Sequence, residues 1–424
     1  MNKNFDFILF GATGDLALRK IFPALYSAYL KDEICEFNIF AIARSKFDTQ
    51  EFLAKLDEKS KIHIKDLSKW NEFIKNISYT SVNINSLDDF LKLSFKNKQK
   101  IIYFSISPDF FIQCCENLSK AKLIDADTQV ILEKPLGMNK KECDEINNQV
   151  AKYFKEEQIY RIDHYLGKLM VQELFNLRKN NIFFNSFLNN NYVKSIELSV
   201  LETLGVLNRG EFYDSCGCLK DMLQNHMLQM LSLFMIDINC KDIRAAKSEF
   251  FKNLKCDEFI KAQYLANKDA INYTDELNVK KDSKTDTFIA IKMHSLLKQY
   301  EGINIYLRSG KKMHKNCVYF VVNFKDDSYL RIQIQPNPKI EFFLKCNEKL
   351  QVMNLNLENL DDKEPYERLI LSALKKDLSL FNEKEELSNA WLSIMDIVDN
   401  TNFTMQYYKA YENTIHFNDC EFKE

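Results

Sequence analysis

The chain reads as two domains of different class. Residues 1–163 are expected to form an α/β domain, and residues 164–424 an α+β domain with a large, mostly antiparallel sheet. Three observations point there. A length of 424 residues exceeds what one ordinary core holds. In the first part, short apolar runs are separated by longer amphipathic stretches, the rhythm of a parallel sheet covered by helices. Beyond about residue 190 apolar and polar residues alternate instead, which is the pattern of strands with one buried face.

The first strand, Phe7-Ile8-Leu9-Phe10, runs into a turn containing Gly11 and Gly14, and helical spacing then continues from Asp15 through Ile21, Phe22, Leu25, Ala28 and Tyr29. Further apolar runs are Ile39–Ala43, ending at Arg44, Ile101–Phe104, ending near Pro108, and Gln129–Leu132, ending at Glu133, Lys134 and Pro135. Asp163 is placed to cap a helix suggested by Leu166, Leu169, Met170, Leu174 and Leu177. On that helix His164 and Lys168, four apart, share a face and can reach one phosphate. In the second domain Ile196, Leu198 and Val200 alternate, as do Val318, Phe320, Val322 and Phe324, then Leu330, Ile332 and Ile334, with Lys325–Ser328 as a hairpin turn. A mostly apolar helix is expected over Leu219–Leu231.

Composition narrows the function classes. A formal charge of −2 gives no reason to invoke nucleic acid or an anionic membrane surface. No stretch of 18 apolar residues is present, so no spanning helix is expected, and no export signal precedes the first strand. Eleven cysteines, an odd number at irregular spacing, fit reduced thiols in the cytoplasm. Cys216 and Cys218 form a CxC without a second ligand pair at zinc spacing, so no metal is expected.

The residues that can carry chemistry cluster at element ends. Gly11 and Gly14 lie between a strand and a helix, where glycine lets the backbone approach a pyrophosphate and the helix start offers N–H groups to it. The full GxGxxG is absent, and a plain tight turn is the alternative. Arg44 stands at the end of the second strand, where an acid would accept from the ribose of NAD. A cation there would hold a 2′-phosphate, so NADP is the expected cofactor, with NAD accepted more weakly. Lys134 closes a strand at the carboxyl edge of the sheet, where such folds bind ligands. The eight residues Arg161–Lys168 gather an acid, an imidazole, a phenol and an ammonium, equipment for an anionic, hydroxyl-bearing substrate. His226 sits among apolar residues, more often the setting of a core histidine, since a general base also needs an orienting partner. Glu202 shares the inward parity of Val200, an odd place for a charge without a hydroxyl partner. Asp221 precedes His226 by five positions, about 140° around an ideal helix.

The blocks GATGDLALRK, EKPLG, RIDHYLGK, DMLQNH, DIRAAK, RSGKK and PYERLILSALKKD, in this order, make the chain resemble the glucose-6-phosphate dehydrogenases over nearly its whole length. The resemblance implies a Rossmann-type first domain. It also implies oxidation of the C1 hydroxyl of glucose 6-phosphate to 6-phosphoglucono-1,5-lactone with hydride transfer to NADP. His226 resembles the general base and Asp163 its orienting carboxylate. His164, Tyr165 and Lys168 resemble the phosphate ligands, while Glu202, Asp221 and Lys311 would meet the sugar. Lys20 and Lys134 resemble the lysines beside the reacting centre, and Gly11, Thr13, Gly14, Leu16 and Arg44 the cofactor contacts. A homodimer or homotetramer through the C-terminal sheet is expected.

Departures from the family pattern are few. Leu169 stands where the family has Glu, Asn316 where it has a second basic residue, with Lys315 one position earlier, and Ser81-Val82 where an Asp-Val is common. None removes a proposed catalytic group. Two other readings compete. A related sugar oxidoreductase would not need the cluster of His164, Tyr165 and Lys168, and a non-catalytic NADP sensor would tolerate loss of His226 or Asp163.

Overall fold

A computed structural model describes residues 4–97, 99–347, 349–355, 363–398, 403–420 and 422–423. The chain forms two compact units. The first comprises Met1–Lys168 with Asp362–Lys384, and the second Leu169–Asp361 with Glu385–Glu424. The first unit thus runs past the boundary expected near residue 163 and takes back a late segment of the chain.

The first unit holds a six-stranded, wholly parallel sheet. Its strands are β1 (Phe5–Phe10), β2 (Phe37–Ala43), β3 (Ile77–Ser81), β4 (Gln99–Phe104), β5 (Thr128–Leu132) and β6 (Ile159–Arg161), in the order β3-β2-β1-β4-β5-β6. Four were legible as apolar runs. β3 has only two buried positions and β6 only three residues, so neither gives a run to recognise. Both faces of the central strands are covered: Phe7, Ile8, Leu9, Ile101, Ile102 and Tyr103 are all buried. That is why these strands read as continuous apolar runs rather than alternations.

The late segment joins this unit for a packing reason. Leu369 and Ile370, on the helix Pro365–Leu374, and Phe381 lie in the same core cluster as Phe7, Leu9 and Tyr103. A helix with so broad an apolar stripe must be covered, and the face of this sheet supplies the cover.

The second unit is built on a nine-stranded mixed sheet. Its strands are β7 (Val193–Leu201), β8 (Leu254–Leu265), β9 (Phe288–Ser295), β10 (Asn304–Gly310), β11 (Cys317–Phe324), β12 (Tyr329–Gln335), β13 (Lys339–Cys346), β14 (Lys349–Leu355) and β15 (Gln406–Lys409), in the order β14-β13-β12-β11-β7-β10-β9-β8-β15. Among the described strands of this sheet, only the β7–β10 and β8–β15 pairings are parallel. The hairpin expected at Lys325–Ser328 joins β11 to β12, with Asp327 in the left-handed region at φ +69°.

One expectation about this sheet fails. β7 is not buried on one face only: Glu197 and Ser199 are buried as well. They tolerate this because Glu197 accepts hydrogen bonds from Asn323 and from the Lys423 backbone, and Ser199 accepts one from Arg308 at 2.8 Å. Alternation along β7 therefore marks a polar layer under cover rather than a solvent face. Nearby, the buried guanidinium of Arg178 donates to the carbonyls of Phe234 and Ile236, the latter at 2.9 Å. These bonds satisfy orphan carbonyls at the C-terminus of the helix Leu228–Met235.

Candidate active site

In the first unit the turn after β1 meets the demands of nucleotide binding. Gly11 has φ +83°, and a Cβ there would lie 2.0 Å from the Ser105 carbonyl oxygen, so no side chain fits. Gly14 donates to the Gly11 carbonyl at 2.9 Å and closes the turn. The helix that follows includes a π-helical stretch, Ala17–Ile21, which carries Lys20 exposed between buried Leu18 and Ile21. Thr13 and Leu16 are half-buried at the same turn, and Arg44 is exposed just beyond the end of β2. These residues fit a dinucleotide: a tight turn at a glycine that admits no side chain, a helix opening from it, and an exposed cation one strand over.

Glu133 and Lys134 follow β5 directly. The Glu133 carboxylate is buried and accepts hydrogen bonds from the hydroxyls of Tyr103 and Tyr366. Burial outweighs these bonds and the Lys134 charge, and lifts its pKa from 4.5 to about 6.

The segment Asp163–Lys168 is not the start of a helix. It forms consecutive turns, with Leu166 donating to the Asp163 carbonyl and Lys168 to the Tyr165 carbonyl, both at 3.0 Å, and the helix begins only at Leu169. Asp163 still caps, but it caps the turn: its Oδ1 accepts from the Tyr165 backbone at 2.8 Å. His164 and Lys168 therefore do not share a helix face. They are brought into one neighbourhood by Tyr165, whose ring lies 3.4 Å from the Lys168 ammonium and 5.0 Å from the His164 ring.

In the second unit Glu202 lies just past β7, half-buried, and accepts from Lys311 Nζ at 2.7 Å, so this carboxylate has an ionic partner. The Lys311 ammonium also stands 5.0 Å from the ring centre of Tyr213. Asp221 and His226 lie on a π-helical segment, Leu219–Met227, that passes into the helix Leu228–Met235. This corrects the separation expected for an ideal α-helix. Residues five apart are one hydrogen-bond step apart in a π-helix, so Asp221 and His226 come toward one side. His226 is buried and Asp221 half-buried.

Asp286 fixes where that segment starts. Its carboxylate accepts from the Leu219 backbone at 2.8 Å, and its carbonyl accepts from Cys218 at 2.9 Å. Gly217, at φ +64°, allows the approach, since a Cβ there would sit 2.8 Å from Asp286 Oδ1. The CxC of Cys216 and Cys218 brackets this bend, and Cys218 donates to the Ser309 carbonyl.

Reading the motifs singly missed Tyr366 and Arg368. Both lie in the block PYERLILSALKKD, whose late position gave no hint that it returns to the first unit. A Pro-Tyr-x-Arg sequence opening an apolar helix was the available signal.

Comparison with known proteins agrees with both halves. The family model "Glucose-6-phosphate dehydrogenase, NAD binding domain" matches residues 8–173, and the model of that family's C-terminal domain matches residues 175–416. The chain belongs to the glucose-6-phosphate dehydrogenase family. A glucose-6-phosphate 1-dehydrogenase of Helicobacter pylori is 39% identical over 99% of this chain and 98% of its own length. A solved glucose-6-phosphate dehydrogenase in complex with glucose 6-phosphate superposes with a TM-score of 0.90 at 29% identity, covering 98% of this chain and 96% of that one. The enzyme from Mycobacterium avium superposes with a TM-score of 0.88 at 25% identity, covering 97% of this chain and 95% of that one. The activity is therefore that of an oxidoreductase acting on a CH–OH group, the C1 hydroxyl of glucose 6-phosphate, with a nicotinamide nucleotide as hydride acceptor.

The raised pKa of Glu133 makes stability depend on pH. A carboxyl that is harder to ionise when folded favours the fold while it is protonated, and that contribution is lost as pH rises through about 6. Glu133→Gln cannot ionise. Its unfolding free energy relative to the parent should therefore rise by about 2 kcal/mol between about pH 4 and pH 7.5. Urea unfolding at both pH values measures this, and a pH-independent difference would refute the raised pKa.

Proposed function

We propose that this chain uses His226 as the base that takes the C1 hydroxyl proton and Asp163 as the carboxylate that orients and stabilises the imidazolium formed. Imidazole, with an ordinary pKa of about 6.5, suits a base that must accept a proton near neutrality. His164, Tyr165 and Lys168 hold the phosphate, which fixes the sugar in register far from the reacting carbon. Glu202, Asp221 and Lys311 bind the sugar, and Lys20 and Lys134 stand beside the reacting centre. Gly11, Thr13, Gly14, Leu16 and Arg44 hold the dinucleotide. NADP, when bound, supplies the hydride acceptor. The observation that carries the reading is the turn Asp163–Lys168, where imidazole, phenol and ammonium are gathered on one short, capped segment.

NADP is the preferred cofactor, because the position that would bear an acid in an NAD enzyme bears Arg44. Initial rates of NADPH formation with glucose 6-phosphate, against NADH formation and against unphosphorylated glucose, test the reading as a whole. Arg44→Ala should narrow or erase the preference by removing a charge-assisted contact of roughly 1.5–3 kcal/mol. Unchanged relative affinities for NADP and NAD in a titration of this variant would assign the 2′-phosphate to another residue.

His226→Asn keeps a polar group of similar reach without the ability to take the proton. Its kcat should fall by about 10²–10⁴ while substrate binding persists. Asp163→Asn should fall in the same direction, and the double variant should lose less than the product of the single losses, since the two act as a unit. A near-normal kcat for His226→Asn in steady-state kinetics would sink the mechanism.

The chain works as a homodimer or homotetramer in the cytoplasm. Supporting the assembly, β14 is the last described strand at its edge of the sheet, and Leu350, Val352, Met353 and Leu355 are all exposed on it. Such an apolar edge invites pairing or cover. Supporting the compartment, none of the eleven cysteines forms a disulfide, and among the described residues no helix is long and apolar enough to cross a membrane. Val352→Asp should shift the protein toward monomer in sedimentation velocity, and an unchanged sedimentation coefficient would place the interface elsewhere.

A further inference from the structure

The turn Asp163–Lys168 is held from outside by one helix of its own unit, Pro365–Leu374. At one end, Gly167 packs so tightly on the Pro365 carbonyl that a Cβ would lie 2.6 Å from its oxygen, and Arg368 Nη1 donates to the Gly167 carbonyl at 2.7 Å. At the other end, the Tyr366 ring lies parallel to the His164 imidazole, with 5° between the planes and 6.3 Å between the centres. That spacing is an offset stack. A stack orients His164 only if the tyrosine itself is fixed, and Tyr366 is half-buried. Its hydroxyl is tied to the Glu133 carboxylate, which a second phenol, Tyr103 on β4, holds from the core side. Glu133 immediately precedes Lys134, so the strand end that presents Lys134 also anchors the ring behind His164.

We infer that Glu133 is a positioning residue for phosphate recognition: through the Tyr366 hydroxyl it fixes the ring on which His164 is stacked, and so sets the direction in which the imidazole meets the phosphate. The inference rests on the reading of His164 as a phosphate ligand. Nothing in it requires Glu133 or Tyr366 to touch the substrate. The carboxylate is buried between two phenols, and what leaves the core is the orientation of a ring.

Steady-state kinetics with glucose 6-phosphate and with unphosphorylated glucose test this on four variants: His164→Ala, Tyr366→Phe, Glu133→Gln and the double variant His164→Ala/Tyr366→Phe. Tyr366→Phe keeps the ring and loses only its tether, so KM for glucose 6-phosphate should rise about 3–10-fold, with kcat within about twofold and no change for glucose. Glu133→Gln keeps an acceptor for one phenol and should fall between Tyr366→Phe and the parent. In the His164→Ala background, Tyr366→Phe should have no further effect, because its action passes through the missing imidazole. A general loss of structure would instead lower kcat for both substrates and lower the melting temperature. An unchanged KM in Tyr366→Phe, or a full additional rise in the double variant, would overturn the inference while leaving His164 a phosphate ligand. An unchanged KM in His164→Ala would overturn the phosphate reading itself and the inference with it.

Discussion

A short segment without regular structure has to be held still, and the first unit is arranged around that requirement. The backbone hydrogen bonds described within Asp163–Lys168 are turn bonds. Rigidity comes from the Asp163 carboxylate on the Tyr165 backbone and from the helix Pro365–Leu374 pressed against Gly167. A bare turn of six residues would sample many conformations, and each would present imidazole and ammonium differently. Fixing the turn from a helix that is itself part of the sheet's core converts packing free energy into side-chain direction.

The same economy of means recurs in the second unit. There the device is a π-helical segment rather than a turn, begun at a glycine bend and capped by the buried Asp286. A π-helix packs its backbone less favourably than an α-helix, so its persistence calls for a reason. Here the gain is geometric: Asp221 and His226, five apart, come toward one side. Glu202 and Lys311, at the ends of the parallel neighbours β7 and β10, are joined by an ion pair across those strand ends.

In both units several buried charges meet ready partners. Glu133 is held by two phenols, Glu197 by an amide and a backbone N–H, and Arg178 by carbonyls at a helix end. Each would cost several kcal/mol if left unpaired. These partners lie far away in sequence, and this is why buried polar layers such as that of β7 were read as solvent faces.

Much was legible in the order of residues alone. Local rules revealed the glycine turn after β1, the cation at the end of β2, the parallel rhythm of the first unit and the hairpin between β11 and β12, because each depends on neighbours a few positions apart. Motif blocks in fixed order also pointed to the family, which the comparisons bear out over both domains. What only the tertiary structure decided depends on distant contacts. The return of Pro365–Leu374 to the first sheet, the turn in place of a helix at Asp163–Lys168, the π-helical register at His226 and the cover over both faces of β7 are all of that kind. Periodicity cannot report them, since it records whether a side chain faces something apolar and not which part of the chain supplies that surface.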